Sequence, residues 1–268
     1  MAVQKRSKRI KKEKKTEDMA TITYEKEVIF KNFKQVCRSI KLNYIFWISC
    51  GISIYLLTKY NTNIDSYFVS ILSFLLAVLL GYYIHYLAHA YDWSKTYSKS
   101  DNTVIDYIKS SEYLDKFFRG LICYTFDFHD KVHHDSSVNK QPINVLVEFI
   151  QNFMMEGGFL ILLASASSFQ IKVGNSTFKF NRAILLMWGL LYATVHNINY
   201  RIVYSLDPEN SLNQHSLHHK HPKTNYGIDT LDILFDTKYN LDNIEVFNHA
   251  AINVLIITFI ILYFKIYL

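Results

Sequence analysis

The chain has 268 residues, half of them hydrophobic, with 29 Lys and Arg against 23 Asp and Glu and a net charge of +6. The apolar excess excludes a disordered chain, and three scattered cysteines (Cys37, Cys50, Cys123) exclude a disulfide scaffold or a thiolate zinc site. Charge and hydrophobicity are both unevenly distributed, in blocks long enough to suggest a membrane protein.

The first block is basic. Lys5, Arg6, Lys8, Arg9, Lys11, Lys12, Lys14 and Lys15 face a single acid, Glu13. Like charges at this density cannot collapse, so residues 1–41 are expected to form a largely disordered cytoplasmic N-terminal region. Nothing downstream resembles a nucleic-acid module, and no nucleic-acid partner is expected. The block fits a positively charged flank that orients the first membrane helix and touches anionic lipid.

Five apolar runs follow: Tyr44 to Thr58, Tyr67 to Leu87, Ile143 to Phe169, Phe180 to Val195 and Ala250 to Phe264. A bilayer core needs about 20 apolar residues in a helix. The runs therefore predict an all-α integral membrane protein with four to five membrane helices, arranged in hairpins. The main domain is expected over 42–249. The hydrophobic helix at 250–268 either spans or lies on the surface. With the N-terminus cytoplasmic, the hairpins return to the cytoplasm near His89 and His196. The loops Tyr60 to Ser66 and Gln170 to Asn181 then face the lumen. The second loop holds the sequon Asn175-Ser176-Thr177, as a lumenal loop would.

Nine histidines fall into four groups on the cytoplasmic side of this topology. They are His85 with His89, then His129 with His133 and His134, then His196, then His215 with His218 and His219. Residues three or four apart on a helix share a face. Counted from Tyr67 at about 1.5 Å per residue, His85 and His89 lie roughly 27 and 33 Å along their helix, at the membrane boundary. Taken singly, His196 or the His85/His89 pair is ordinary for a helix end. Two H-H doublets, each preceded by a third histidine, are not. Imidazole suits iron, zinc and copper, so the pattern predicts a cytoplasmic helical cap holding a histidine-rich di-metal site. His221 and His249 fit no group and are read as structural or solvent-exposed. Glu156, deep in the third run, is a candidate for supporting a metal ligand from behind.

The segment from about Gly81 to Thr237 resembles the fatty acid hydroxylase and sterol desaturase superfamily of membrane di-iron enzymes. Tyr83-Ile84-His85-Tyr86-Leu87-Ala88-His89 is similar to its first histidine box, with Tyr86 where arginine is frequent. His129-Asp130-Lys131-Val132-His133-His134 resembles the second, with three residues rather than two before the doublet. His196 to Tyr200 and His215-Ser216-Leu217-His218-His219 resemble the isolated histidine and the third box. Asn225-Tyr226-Gly227 and Asp232-Ile233-Leu234-Phe235 with Thr237 are similar to the motifs that follow, with Leu231 and Asp236 in place of a tryptophan and a glycine.

The resemblance implies an O2-dependent lipid hydroxylase or desaturase acting on a sterol, fatty acyl or sphingolipid substrate. It implies two iron ions, with zinc as an alternative occupant of purified protein, held by His85, His89, His129, His133, His134, His196, His215, His218 and His219. No haem motif or G-x-G-x-x-G stretch is present in the chain. Electrons are accordingly expected from cytochrome b5 or a reductase, and the endoplasmic reticulum is the expected membrane. The rival expectations are a zinc-loaded or aldehyde-processing member of the same superfamily, a histidine-rich metal transporter, and a catalytically degenerate member.

Overall fold

The computed structural model describes residues 29–60, 66–129, 134, 142–165, 171–173, 176–200 and 214–267. Most of the basic tail, His133 and Asn175 of the sequon lie outside them.

The regular structure of the described residues is helical apart from one small hairpin. Helix α1 (Ile29–Leu42) meets α2 (Tyr44–Lys59) at a bend of 73°. The bend has a specific cause. Asn43 at the joint donates from Nδ2 to the carbonyls of Ser39 (3.1 Å) and Glu245 (3.0 Å), and its Oδ1 accepts from the Phe247 N–H. A side chain that ties the joint to a distant segment fixes a kink that propensity alone would not. The helix at 29–42 corrects the expectation of disorder through residue 41. Ile29, Phe30, Phe33 and Ile40 recur at helical spacing among the lysines, and Ser39, 1 % exposed, packs inward against Thr230.

Helix α3 (Tyr67–Ala90) is capped by Ser66, whose side chain accepts from Val69 N. Short helices follow: α4 (Trp93–Lys99), α5 (Thr103–Ser110), α6 (Glu112–Phe118), a π-helical turn (Arg119–Cys123) and α7 (Tyr124–Phe128). Asp92, Asn102 and Ser111 cap the first three through their side chains. Asp127 binds α7 back onto the start of α4 by accepting from Trp93 N (3.1 Å) and from Ser94 N (3.3 Å) and Oγ.

Helix α8 (Pro142–Phe153) opens on proline, where a missing N–H costs nothing. It runs through a π-helical turn (Met154–Gly158) into α9 (Phe159–Ser165). Strands β1 (Ile171–Val173) and β2 (Ser176–Phe178) pair antiparallel. Helix α10 (Arg182–Thr194) then runs into a third π-helical turn (Val195–Asn199). Asn181 fixes its start: Nδ2 donates to Ser70 Oγ, N to Ser73 Oγ, both at 2.9 Å, and Oδ1 caps Ala183 N. The chain ends through α11 (Gln214–Lys220), α12 (Asp229–Leu234) and α13 (Ala250–Tyr267).

Helix α10 is the central post, packed against α3, α8, the Met154–Gly158 turn and α13, while α2 lies on α13 and α3. At the crossing of α10 with the Met154–Gly158 turn, a Cβ on Gly157 would meet Leu185 O at 2.6 Å, so only glycine allows so close an approach. Ile184, Leu185, Met187 and Leu191 of α10 are fully buried with Phe46, Leu57 and Val254.

Among the described residues two helices, Tyr67–Ala90 and Ile143–Ser165, are long and apolar enough to cross a membrane. A third span results if the bent α1–α2 pair counts as one, and Ala250–Phe264 is a shorter apolar helix. Ile71, Leu75, Leu79, Leu146, Ile150 and Phe259 are exposed along these helices, as lipid-facing residues would be.

Candidate metal centre

His85 and His89 occupy the last two turns of α3, one turn apart on one face. His129 follows α7, and His218 comes from α11. Ligand nitrogens of these four residues all lie within 4.8 Å of one another. The contacts run through Nε2: His85 to His218 at 3.1 Å, His129 to His85 at 3.0 Å and His218 to His89 at 3.1 Å. Metal–imidazole bonds of about 2.0–2.1 Å place neighbouring ligand nitrogens roughly 2.9–3.4 Å apart. The observed separations fit one shared ion.

The opposite ring nitrogens are held by backbone. His85 Nδ1 faces the carbonyl oxygen of Tyr226, and His218 Nδ1 faces that of Thr224 at 2.7 Å. A carbonyl only accepts, so Nδ1 carries the proton in both rings and the Nε2 lone pair points at the shared centre. The Thr224–Gly227 loop that presents these carbonyls is itself tied down. Asp232, fully buried, accepts from Tyr226 N (2.8 Å), Gly227 N (3.1 Å) and Thr237 Oγ1 (2.8 Å). Asn225 takes a positive φ of 55°, and its N–H donates to Thr237 O at 2.9 Å. The N-Y-G motif and the aspartate after it thus act as one clamp on two histidines.

A second group adjoins the first. His215 and His219 of α11 approach through Nε2 at 3.1 Å. The His134 ring stacks on His219 at 4.3 Å between centroids, and His196 lies edge-on to His215 at 4.2 Å. His134 also lies 4.7 Å from His89 and 4.9 Å from His218, so the two groups form one layer. His196 is carried by the π-helical turn at the end of α10, a feature that re-aims side chains within a helix.

Burial, then the neighbouring His85 and His89 imidazoles, hold His129 well below the ordinary histidine value. Burial followed by His89 does the same for His218, against a smaller opposing pull from the Thr224 carbonyl. His215 is lowered by burial, then by His196 and His219, and His134 by burial, then by His218. These rings are neutral at pH 7, the form that binds a metal ion.

The structure therefore gathers His85, His89, His129, His134, His196, His215, His218 and His219, while His133 lies outside the described residues. His221 is exposed and stacks on Tyr239, and His249 packs on Phe247. The sequence reading missed Glu148. Its Oε1 lies 3.6 Å from His196 Nδ1, both side chains 3 % exposed, and Asn152 Nδ2 lies 2.9 Å from the same nitrogen. Glu156 takes a different place: its Oε2 accepts from Trp188 Nε1 at 3.3 Å. Glu148, Asn152 and Glu156 recur every fourth residue along one apolar helix. That polar stripe was the available signal.

A cavity opens beside the layer. His85, His196 and His215 border it, with Tyr192, Trp188 and Glu156 further along its wall. In comparisons with family models, curated proteins and solved structures, no match to this chain was found.

Proposed function

We propose that this chain is a membrane-bound, O2-dependent di-iron hydroxylase or desaturase that acts on a sterol, fatty acyl or sphingolipid substrate. The observation that carries this reading is the pair of adjoining, buried and half-buried histidine groups beside a cavity, at the end of a helix long enough to cross a membrane. His85, His89, His129 and His218 would hold one ion, and His134, His196, His215 and His219 the other. A bound iron pair supplies activation of O2 and removal of hydrogen from an unactivated C–H bond. The chain's own residues do the rest. The Tyr226 and Thr224 carbonyls fix two rings, and Asn152 contacts His196 at Nδ1 with the Glu148 carboxyl group beside it. Burial keeps water from the layer, and the cavity admits the lipid.

In this reading four to five helices sit in the bilayer and the histidine layer forms a cytoplasmic cap. The N-terminus is cytoplasmic, the membrane is that of the endoplasmic reticulum, and cytochrome b5 or a reductase delivers electrons. The resemblance of the histidine boxes to the fatty acid hydroxylase and sterol desaturase superfamily supports the assignment. Glu156, buried within a long apolar helix, is the one feature that favours a metal transporter. Against it, His85 and His89 lie at the end of α3, whereas transporter sites lie near the bilayer midplane.

The test is a lipid analysis of cells expressing the wild type or His215→Ala under 18O2. A wild-type-specific lipid carrying 18O, or a new double bond formed only with oxygen, supports the reading. Metal uptake into vesicles with no such lipid contradicts it.

A further inference from the structure

The metal centre does not account for Glu156. This residue sits in the Met154–Gly158 turn within the apolar helix Ile143–Ser165 and is 3 % exposed. An ionisable group placed there is costly and usually functional. Its only hydrogen bond among the described residues is the 3.3 Å bond from Trp188. A carboxylate has about four acceptor positions, and a protonated carboxyl group still has its carbonyl oxygen to accept with, so in either form most of its capacity is unused.

The carboxyl group is also built into its place. A Cβ on Gly81 would lie 1.7 Å from Glu156 Oε2, so glycine at this point of α3 makes the space that the carboxyl fills. Glu156 borders the same cavity as His85. Tyr192 stands between them, within electrostatic reach of Glu156 and with its hydroxyl 3.2 Å from His85 Nδ1. Because Nδ1 carries a proton that faces the Tyr226 carbonyl, Tyr192 cannot donate to that nitrogen, and its O–H is available to a ligand.

An acceptor and a donor on one cavity wall match a hydroxyl group, which offers one of each. An ammonium ion offers donors alone and would leave Tyr192 unused. We propose that Glu156 and Tyr192 bind the hydroxyl group of a lipid alcohol, so that the cavity selects such lipids and places the hydroxyl within a few bonds of the carbon facing the histidine layer. The proposal deepens the lipid-oxidase reading and rests on the cavity being its lipid site.

The test measures binding, without metal or turnover. Tritiated cholesterol and tritiated octadecanol are each displaced from the purified, metal-free protein by the unlabelled alcohol and by its methyl ether. Wild type is expected to favour the alcohol over the ether by about tenfold or more in at least one pair. The pair that discriminates identifies a sterol or a chain alcohol. Glu156→Leu should abolish the preference by weakening the alcohol alone, whereas Glu156→Gln, which keeps a carbonyl acceptor, should retain most of it. Tyr192→Phe should reduce it, and decides the matter if Glu156→Leu does not fold. Equal affinities in both pairs for wild type overturn the proposal, as does a preference that survives Glu156→Leu or Tyr192→Phe in folded protein. Alcohol preference without iron or oxidised product would leave this site standing and remove the oxidase reading. Iron and product without the preference would do the reverse.

Discussion

Gly81 and Glu156 interlock across two helices: the space a Cβ would take on the first is filled by the carboxyl group of the second. The two residues should therefore be energetically coupled. Gly81→Ala is expected to destabilise the protein by about 1–3 kcal/mol, as overpacking of a filled core does. In a Glu156→Ala background, where the carboxyl is gone, the same change should cost much less. Thermal melts of the four proteins in detergent close the cycle. Additive losses would show that the contact carries no energy.

Asp232 gives a pH dependence with a definite sign. Burial raises its pKa from 3.8 to about 6, against the opposing hydrogen bonds from Thr237, Gly227 and Tyr226. A raised carboxyl favours the folded state when protonated. Its contribution is complete below about 3.8 and is lost as pH rises through about 6, a change of about 3 kcal/mol at 1.36 kcal/mol per unit. The stability of wild type relative to Asp232→Asn should therefore increase as pH falls from 7 to 5. A difference that is flat or shrinks over this range would contradict the assignment.

Lys238 and Asp229 form a pair with side chains 0 % and 4 % exposed and a 2.6 Å Nζ–Oδ1 contact. Asp229 Oδ2 also accepts from Glu245 N at 2.7 Å. Removing one member leaves the other charge buried, which costs about 3–5 kcal/mol. Lys238→Met should lower the melting temperature sharply, and Lys238→Met with Asp229→Asn should recover part of the loss. No recovery would mean the lysine acts by packing alone.

Much of this was legible in the sequence. The apolar runs correspond to helices, and His85, His89 and His196 stand at the ends of two of them, where the runs placed them. How the groups divide was not legible. His218 and His219 are consecutive and thus about 100° apart on α11. One joins His85, His89 and His129, and the other joins His134 and His215. The second and third boxes therefore serve both halves of the layer, and only tertiary packing decides which ring goes where. Helix α1 was hidden because its lysines continue the basic composition of the tail, and Glu148 because an acid in an apolar run reads as an interruption.

Topology is open to a direct chemical probe. Cys37 is exposed on α1, while Cys50 and Cys123 are buried. With a cytoplasmic N-terminus, a membrane-impermeant maleimide should modify Cys37 in sealed microsomes whose cytoplasmic face is outward, before detergent is added. Modification only after detergent would invert the proposed orientation.

The central claim is that the histidine layer holds two metal ions. Elemental mass spectrometry of the purified protein, expressed with iron available, tests it beside the double variant His218→Ala/His219→Ala, which removes one ring from each group. The expected result is about two iron ions per chain in the wild type and their loss in a variant that still inserts, with His249→Ala unchanged. Well-folded wild-type protein without stoichiometric metal, or a double variant that keeps its metal, would contradict the account.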